Sequence, residues 1–130
     1  MRRAILDTHA LLWLMEDDLR LGARAKAMIE TGDVPLFVSY ASLWEIAVKQ
    51  SIGKLKLALP LLQLVERRVL AAGISLLSIQ VEHIARCADL PLHLRDPFDR
   101  LLVAQCLVEE VGILSRDAQL DAYGVERIWE

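Results

Sequence analysis

The sequence predicts an α/β fold, a three-layer α/β/α sandwich in which helices cover both faces of a central parallel sheet. Glycines divide the chain into alternating helical and strand-forming stretches. Five of them each follow a stretch of helical character, where a helix-terminating glycine belongs: Gly32, Gly53, Gly73, Gly112 and Gly124. Short apolar runs that favour strands follow several of these glycines. The 130 residues fit one domain, 1–130, with a single substantial core.

The elements follow one another in a regular order along the chain. The strand-forming runs are RAIL, LFVS, ISLLSI, ILS and VERIW. The stretches predicted to be helical are 8–15, 23–31, 41–52, 60–72, 81–88, 97–111 and 118–123. Parallel pairing is favoured because helices separate the strands, and a helix is the usual crossover between parallel strands.

Composition excludes several classes of protein. The net charge of −3 gives no overall basic field that would attract nucleic acid, although a metal ion at an acidic centre would reverse the sign locally. Charged residues or glycine interrupt every long apolar run, so no membrane span is expected. Asp7 and His9 break the first apolar stretch, which argues against a signal peptide. Cys87 and Cys106 stand far apart, as expected for buried, reduced thiols of a cytoplasmic protein.

The apolar fraction of the chain is high, at 55%. In a protein without a membrane span, such an excess indicates that part of the surface is covered by a partner. The residues expected at this interface are Trp13, Leu14 and the run LKLALPLLQL at 55–64.

Two aspartates bracket a Pro-Phe pair in the stretch HLRDPFDRLLVAQCL, at 93–107. Asp96 is suited to cap the following helix, with Pro97 at the first helical position. Asp99 shares a helical face with apolar residues three, four and seven positions later. A carboxylate on the apolar side of a helix is costly to bury unless a cation or hydrogen-bond donors satisfy it. Asp99 is therefore a candidate for a functional site.

Acidic residues also fall at the ends of predicted strands, where ligands of open parallel sheets bind. Asp7 follows RAIL, Asp117 follows ILSR, and Glu45 lies in the helix that begins after LFVS. Each acid has a structural alternative: Asp7 and Asp117 are suitable helix caps, and Glu45 can pair with Lys49 four residues later. These three acids and Asp99 are nevertheless all expected at one edge of the sheet, which favours an acidic metal site.

The residue types indicate which metal such a site would bind. Clustered carboxylates raise one another's pKa, so a cation is needed to keep several of them ionised. Ligation by oxygen alone suits Mg²⁺ or Mn²⁺ rather than Zn²⁺, which favours Cys and His at close spacings. His9, His83 and His93 form no such cluster, and His83 is expected on a helix surface.

Four blocks of the sequence, LDTHALLW, SLWEIAVKQSIGKL, RDPFDRLLVAQ and LSRD, resemble the PIN-domain family, and within it the VapC-type toxins of bacterial toxin–antitoxin pairs. The resemblance covers nearly the whole chain. It implies a sandwich around a parallel sheet and an endoribonuclease that needs Mg²⁺ or Mn²⁺ and acts on RNA. It also implies a homodimer that is neutralised by a small antitoxin protein, whose tail occupies the catalytic groove.

The resemblance also assigns residues. The acidic quartet of the family falls on Asp7, Glu45, Asp99 and Asp117, as metal-binding and catalytic residues, and Thr8 and Ser115 match the hydroxyl residues beside them. Asp96 caps the helix in this interpretation, and whether it also contacts the metal stays open. The candidates for holding the phosphate backbone of RNA are Lys49, Arg95, Arg100 and Arg116.

Other functions fit the sequence less well. A receiver-like signalling module needs an acidic pair after the first strand, and a haloacid-dehalogenase-like phosphatase needs an Asp where His9 stands. The sequence contains no glycine-rich phosphate loop, which argues against a nucleotide-binding enzyme. The remaining alternative is a PIN-fold module that binds RNA or a protein without cleaving RNA.

Overall fold

The computed structural model describes residues 2–129. Within that range, five parallel strands form one sheet in the order β3–β2–β1–β4–β5. The strands are β1 (Ala4–Leu6), β2 (Leu36–Ser39), β3 (Ser75–Leu77), β4 (Gly112–Leu114) and β5 (Arg127–Ile128). This arrangement confirms the predicted α/β class and its parallel sheet.

The helices lie close to their predicted positions. They are α1 (Thr8–Glu16), α2 (Ala23–Thr31), α3 (Tyr40–Ser51), α4 (Leu61–Leu64), α5 (Val81–Asp89) and α6 (Pro97–Glu109). Helix α4 continues as a π-helical segment over Val65–Leu70, and the last predicted helix is a 3₁₀ helix at Ala118–Tyr123.

Alternate residues of the central strand face the two helical layers, as the period of a strand requires. Ala4 and Leu6 of β1 belong to a core formed with α1, α2 and α4. Ile5 points to the opposite face, into a second core formed with Leu102 and Val103 of α6. All three β1 residues have no exposed surface, so both faces of the sheet are covered and the predicted sandwich is confirmed.

One of the five predicted helix-ending glycines has a different role. Gly112 lies within β4, and the left-handed residue that ends α6 is Glu110, with φ 55°. A Cβ atom at Gly112 would stand 2.9 Å from the carbonyl oxygen of Glu126, so the close approach of the chain before β5 requires glycine there. The pattern of glycine after helix was therefore right for the other four and wrong for Gly112.

The expected interface residues are only partly on the surface. Trp13 and Leu14 are buried in the core around α1, so predicting them as partner-contacting surface was wrong. In the run 55–64, Leu55 packs partly against that core and Leu62 is 72% exposed. Helix α1 also contacts the chain around β5, where the Trp13 and Trp129 rings lie 5.9 Å apart.

The two cysteines form no disulfide. Cys106 is buried, and burial raises the pKa of its thiol to about 12, so it behaves as an apolar core residue. Cys87 is half-buried, whereas full burial was expected. Among residues 2–129, no helix is long and apolar enough to cross a membrane.

Candidate active site

The candidate site lies where the direction of the strand order reverses. The chain passes from β1 to β2 on one side of the sheet and later reaches β4 on the other side, so β1 and β4 flank a switch point. Leu6 pairs in register with Leu114, so the residues that follow them emerge at the same edge. Asp7 follows β1 directly and Asp117 comes three residues after β4. This is the edge at which open parallel sheets bind ligands.

Asp7 combines a capping role with a functional position. Its side chain accepts a hydrogen bond from the backbone N–H of Ala10, at 2.8 Å, which caps α1. The carboxyl group is 5% exposed, and burial raises its pKa despite hydrogen bonds from Ser115 and Ala10. Asp117 also contributes to the raised pKa by charge repulsion. The capping role of Asp7 is confirmed, and its position at the ligand-binding edge of the sheet is compatible with the acidic-site interpretation.

Asp117 is exposed and caps the 3₁₀ helix through the backbone N–H of Gln119, at 2.9 Å. Its own backbone N–H donates to the hydroxyl oxygen of Ser115, at 3.0 Å. Because the same hydroxyl hydrogen-bonds to the Asp7 carboxylate, Ser115 links the two acids. The structure thus gives Ser115 the supporting contacts that the family resemblance implied.

Glu45 lies inside α3, which begins where the hydroxyl of Ser39 accepts from the backbone N–H of Ala41. Glu45 is 3% exposed. Thr8 donates its hydroxyl hydrogen bond to Oε1 of Glu45, at 2.7 Å, and Nζ of Lys49 lies 2.6 Å from Oε2. The carboxylate is therefore held at both oxygens, and its pairing with Lys49 is the structural alternative foreseen from the sequence.

Ser42 lies beside the candidate site and was not identified from the sequence. It is completely buried, and its hydroxyl oxygen lies 3.0 Å from that of Thr8. The sequence contains a signal for this position, because Ser42 precedes Glu45 by three residues and so lies on the same face of the predicted helix.

Asp99 is half-buried at the start of α6, and the pKa of its carboxyl group is raised to about 7. Burial is the largest cause, followed by repulsion from Asp96, Glu45, Asp7 and Asp117. Asp96 caps α6 as expected, accepting from the backbone N–H groups of Phe98 at 2.8 Å and Asp99 at 3.3 Å. Asp99 therefore interacts electrostatically with every other acid of the predicted quartet, so the four acids lie in one region of the structure.

The four acids do not form a complete metal-binding site in this structure. Among residues 2–129, no three Asp, Glu, His or Cys side chains stand close enough together to hold a metal ion. The chemistry of the donor set nevertheless fits a hard divalent cation, because every member is a carboxylate. A bound cation would also favour the ionised form of Asp99, whose pKa is raised by burial and by the neighbouring acids. Lys49 supplies one positive charge, and its pKa is raised mainly by Glu45 and further by Asp96 and Asp99.

Arg100 does not serve as a phosphate-binding residue in this structure. Its guanidinium donates to the backbone carbonyls of Pro91 at 3.0 Å, Cys87 at 3.1 Å and Leu90 at 3.2 Å. These bonds fix the loop between α5 and α6, and Arg100 is withdrawn from the candidates for RNA contact. Arg95 and Arg116 are exposed.

His83 is fully buried, so its expected position on a helix surface was wrong. Its Nδ1 accepts from the backbone N–H of Gln80, at 2.9 Å, which leaves the ring proton on Nε2, 2.8 Å from Oε2 of Glu109. Gln105 lies beside the ring and accepts a hydrogen bond from the Ser39 hydroxyl, at 2.5 Å. This network joins α5, α6 and the start of α3.

A model of the PIN domain family matches residues 4–126. The chain belongs to the PIN domain family. This PIN domain is also similar to solved structures over nearly its full length. VapBC2 from Rickettsia felis, bound to a DNA fragment from its promoter, gives a TM-score of 0.71 at 9% identity and covers 98% of both chains. FitAcB from Neisseria gonorrhoeae gives 0.66 at 16% identity and covers 96% of both chains.

A toxin–antitoxin complex from Klebsiella pneumoniae is similar at a TM-score of 0.58 and 17% identity, covering 88% of this PIN domain and 86% of that chain. At such identities the likeness describes the fold. A comparison with curated protein sequences finds no match.

Proposed function

We propose that this PIN domain is a metal-dependent endoribonuclease that hydrolyses RNA phosphodiesters and acts as the toxin of a type II toxin–antitoxin pair in the cytoplasm. The observation that carries the proposal is the placement of Asp7 and Asp117 after the in-register strands β1 and β4, where Ser115 links them. The pKa of Asp99 supports it: burial and Asp96 raise this pKa most, to about 7, and Glu45, Asp7 and Asp117 contribute further. Acids from four separate segments repel one another at the switch point of the sheet. Such an arrangement is costly for the fold and suits a site that receives a cation.

Asp7, Asp99 and Asp117 would hold Mg²⁺ or Mn²⁺, and Glu45 would complete the set or orient the attacking water. A divalent ion held by these residues would supply an activated water molecule and would stabilise the leaving oxygen of the phosphodiester.

The surrounding residues prepare the acids for this role. Thr8 fixes one oxygen of Glu45, and Ser115 joins the loops that carry Asp7 and Asp117. Contacts of this kind hold ligands in one orientation. Lys49 neutralises Glu45 in the absence of a cation, and with Arg95 and Arg116 it is available to contact RNA phosphates.

The proposed partners are a small antitoxin protein and a second copy of the chain. The sequence blocks that resemble VapC-type toxins support this, and the structural neighbour from Klebsiella pneumoniae is a toxin–antitoxin complex. A non-cleaving PIN-fold module that binds RNA or a protein is the second candidate. It is favoured by the ion pair between Lys49 and Glu45, which would neutralise the most buried part of the cluster without a metal.

Cleavage of RNA by antitoxin-free protein separates the two candidates. We expect cleavage with Mg²⁺ or Mn²⁺, none with EDTA, and a loss of at least about 100-fold in Asp7→Asn and Asp99→Asn, since each removes a charge from the metal site. Asp96→Asn, which keeps the cap, is the matched control. Undiminished cleavage by both site variants would eliminate the assignment, and metal-independent binding without cleavage would favour the second candidate.

A further inference from the structure

We propose that His9, supported by Trp13, forms a stacking subsite next to the acidic cluster for the base of the nucleotide flanking the cleaved bond, and that differences in stacking strength give a modest nucleotide preference there. The inference rests on the proposed function. His9 is not one of the acids or supporting hydroxyl residues, and its role would be to set sequence preference.

The two rings line the same groove as two of the acids. A cavity of about 270 Å³ is bordered by Asp7, His9, Trp13, Arg116 and Asp117. His9 is exposed at the start of α1, and its ring centroid lies 5.7 Å from that of Trp13, with 33° between the ring planes. An aromatic surface therefore adjoins the proposed metal ligands directly.

The aromatic surface has a firm base. Trp13 is only 8% exposed, and its ring lies 5.9 Å from that of Trp129. The guanidinium of Arg20 lies over the Trp13 ring at 5.3 Å and is itself fixed by Asp18, with Nη2 and Oδ2 2.8 Å apart. Trp13 thus supports His9 in one place, which reduces the ordering cost when a base stacks on it.

The rest of the groove is suited to the remainder of a nucleotide. Asp7 and Asp117 would place the scissile phosphate beside a cation, and the exposed guanidinium of Arg116 lines the same cavity, where it can contact an adjacent phosphate. Bases of single-stranded RNA stack on aromatic side chains, and every base offers such a face. Two carboxylates, a guanidinium and an exposed ring within one groove match a flanking nucleotide better than a peptide.

The test compares His9→Gln with His9→Phe, because both remove the imidazole and only the second keeps a ring. Each variant cleaves a pool of short random-sequence RNAs with Mn²⁺, and the cleaved ends are sequenced. We expect His9→Gln to raise KM about tenfold and flatten the nucleotide preference at one flanking position, with kcat little changed. His9→Phe should restore most of the lost affinity. Arg116→Gln should weaken all sequences alike and lower the salt slope by about one.

The outcomes separate this inference from the function on which it rests. Absence of cleavage by the wild type would refute the endoribonuclease itself. Cleavage by the wild type, with His9→Gln giving the same KM and the same preference, would overturn the subsite alone. A decreased kcat in both His9 variants together with weakened Mn²⁺ binding would also overturn it, because His9 would then act on the metal ligands.

Discussion

At the scale of single residues, the acids of the candidate site make structural contacts at the edge of the sheet where ligands of this fold class bind. Asp7 and Asp117 cap helices with their side chains while extending from the ends of adjacent strands. Glu45 pairs with Lys49 and also accepts from Thr8. The structural contacts and the proposed metal site do not exclude each other, because a helix that starts at a strand end places its capping residue at the ligand-binding edge.

Asp99 makes the metal-free protein sensitive to pH. Its folded pKa of about 7 exceeds the ordinary value of 3.8, so between these values the folded protein keeps a proton that the unfolded chain has lost. The free energy of unfolding should therefore fall as pH rises through this window. Asp99→Asn should remove much of this decline. Thermal unfolding with EDTA from pH 4 to 8 measures it, and equal pH slopes in both proteins would contradict the assignment.

Asp96 is expected to act on α6 rather than on the cation. Asp96→Ala should lower the free energy of unfolding by about 1 kcal/mol, because the N–H groups of Phe98 and Asp99 lose their acceptor. Asp96→Asn keeps an acceptor and should retain stability and cleavage. Chemical unfolding and the cleavage assay check both variants, and a loss of cleavage in folded Asp96→Asn would mean that Asp96 takes part in the site.

At the scale of elements, the loop before α6 determines where Asp99 stands. Arg100 donates to the carbonyls of Leu90 and Pro91 in the loop and of Cys87 near the end of α5. The hydroxyl of Tyr123 accepts from the N–H groups of His93 and Leu94 and donates to the carbonyl of Pro91. The 3₁₀ helix that follows Asp117 thus supports the loop that leads to Asp99. Hydrogen bonds therefore connect the segment that carries Asp117 to the segment that carries Asp99.

Arg100→Ala should destabilise the protein by about 2–3 kcal/mol, since charge-assisted hydrogen bonds to part-buried carbonyls are lost together. Arg95→Ala, an exposed neighbour of the same type, should change the free energy of unfolding by less than about 0.5 kcal/mol. Urea unfolding gives both values. If the two variants were equally stable, Arg100 would not be holding the loop.

The elements also show what a sequence can and cannot reveal. Periodicity and caps located the strands and helices, because these depend on neighbours along the chain. The strand position of Gly112 depends on contact with Glu126, and the burial of His83 depends on Gln80 and Glu109. Arg100 looked like a surface cation because nothing local indicated three carbonyls within its reach. Partners in space decided each of these cases, and a single sequence does not record them.

At the scale of the whole molecule, the sheet order explains why acids that are far apart in the sequence lie near one edge of the sheet. Five parallel strands with β1 at the centre bring the ends of β1, β2 and β4 to one edge within residues 2–129. The net charge of −3 is unfavourable for RNA, so the proposed activity requires the cation both for chemistry and for local attraction. In this proposal the fold positions the carboxylates, and a bound cation would supply the positive charge that RNA phosphates need.

Calorimetric titration of the metal-free protein with Mn²⁺ at pH 6.5, in buffers of different ionisation enthalpy, tests the central claim most directly. We predict binding by the wild type with release of a proton, because Asp99 must ionise when the cation arrives. Binding should weaken strongly in Asp7→Asn and Asp99→Asn. Binding in Asp99→Asn equal to that of the wild type, or binding by the wild type without proton release, would contradict the claim.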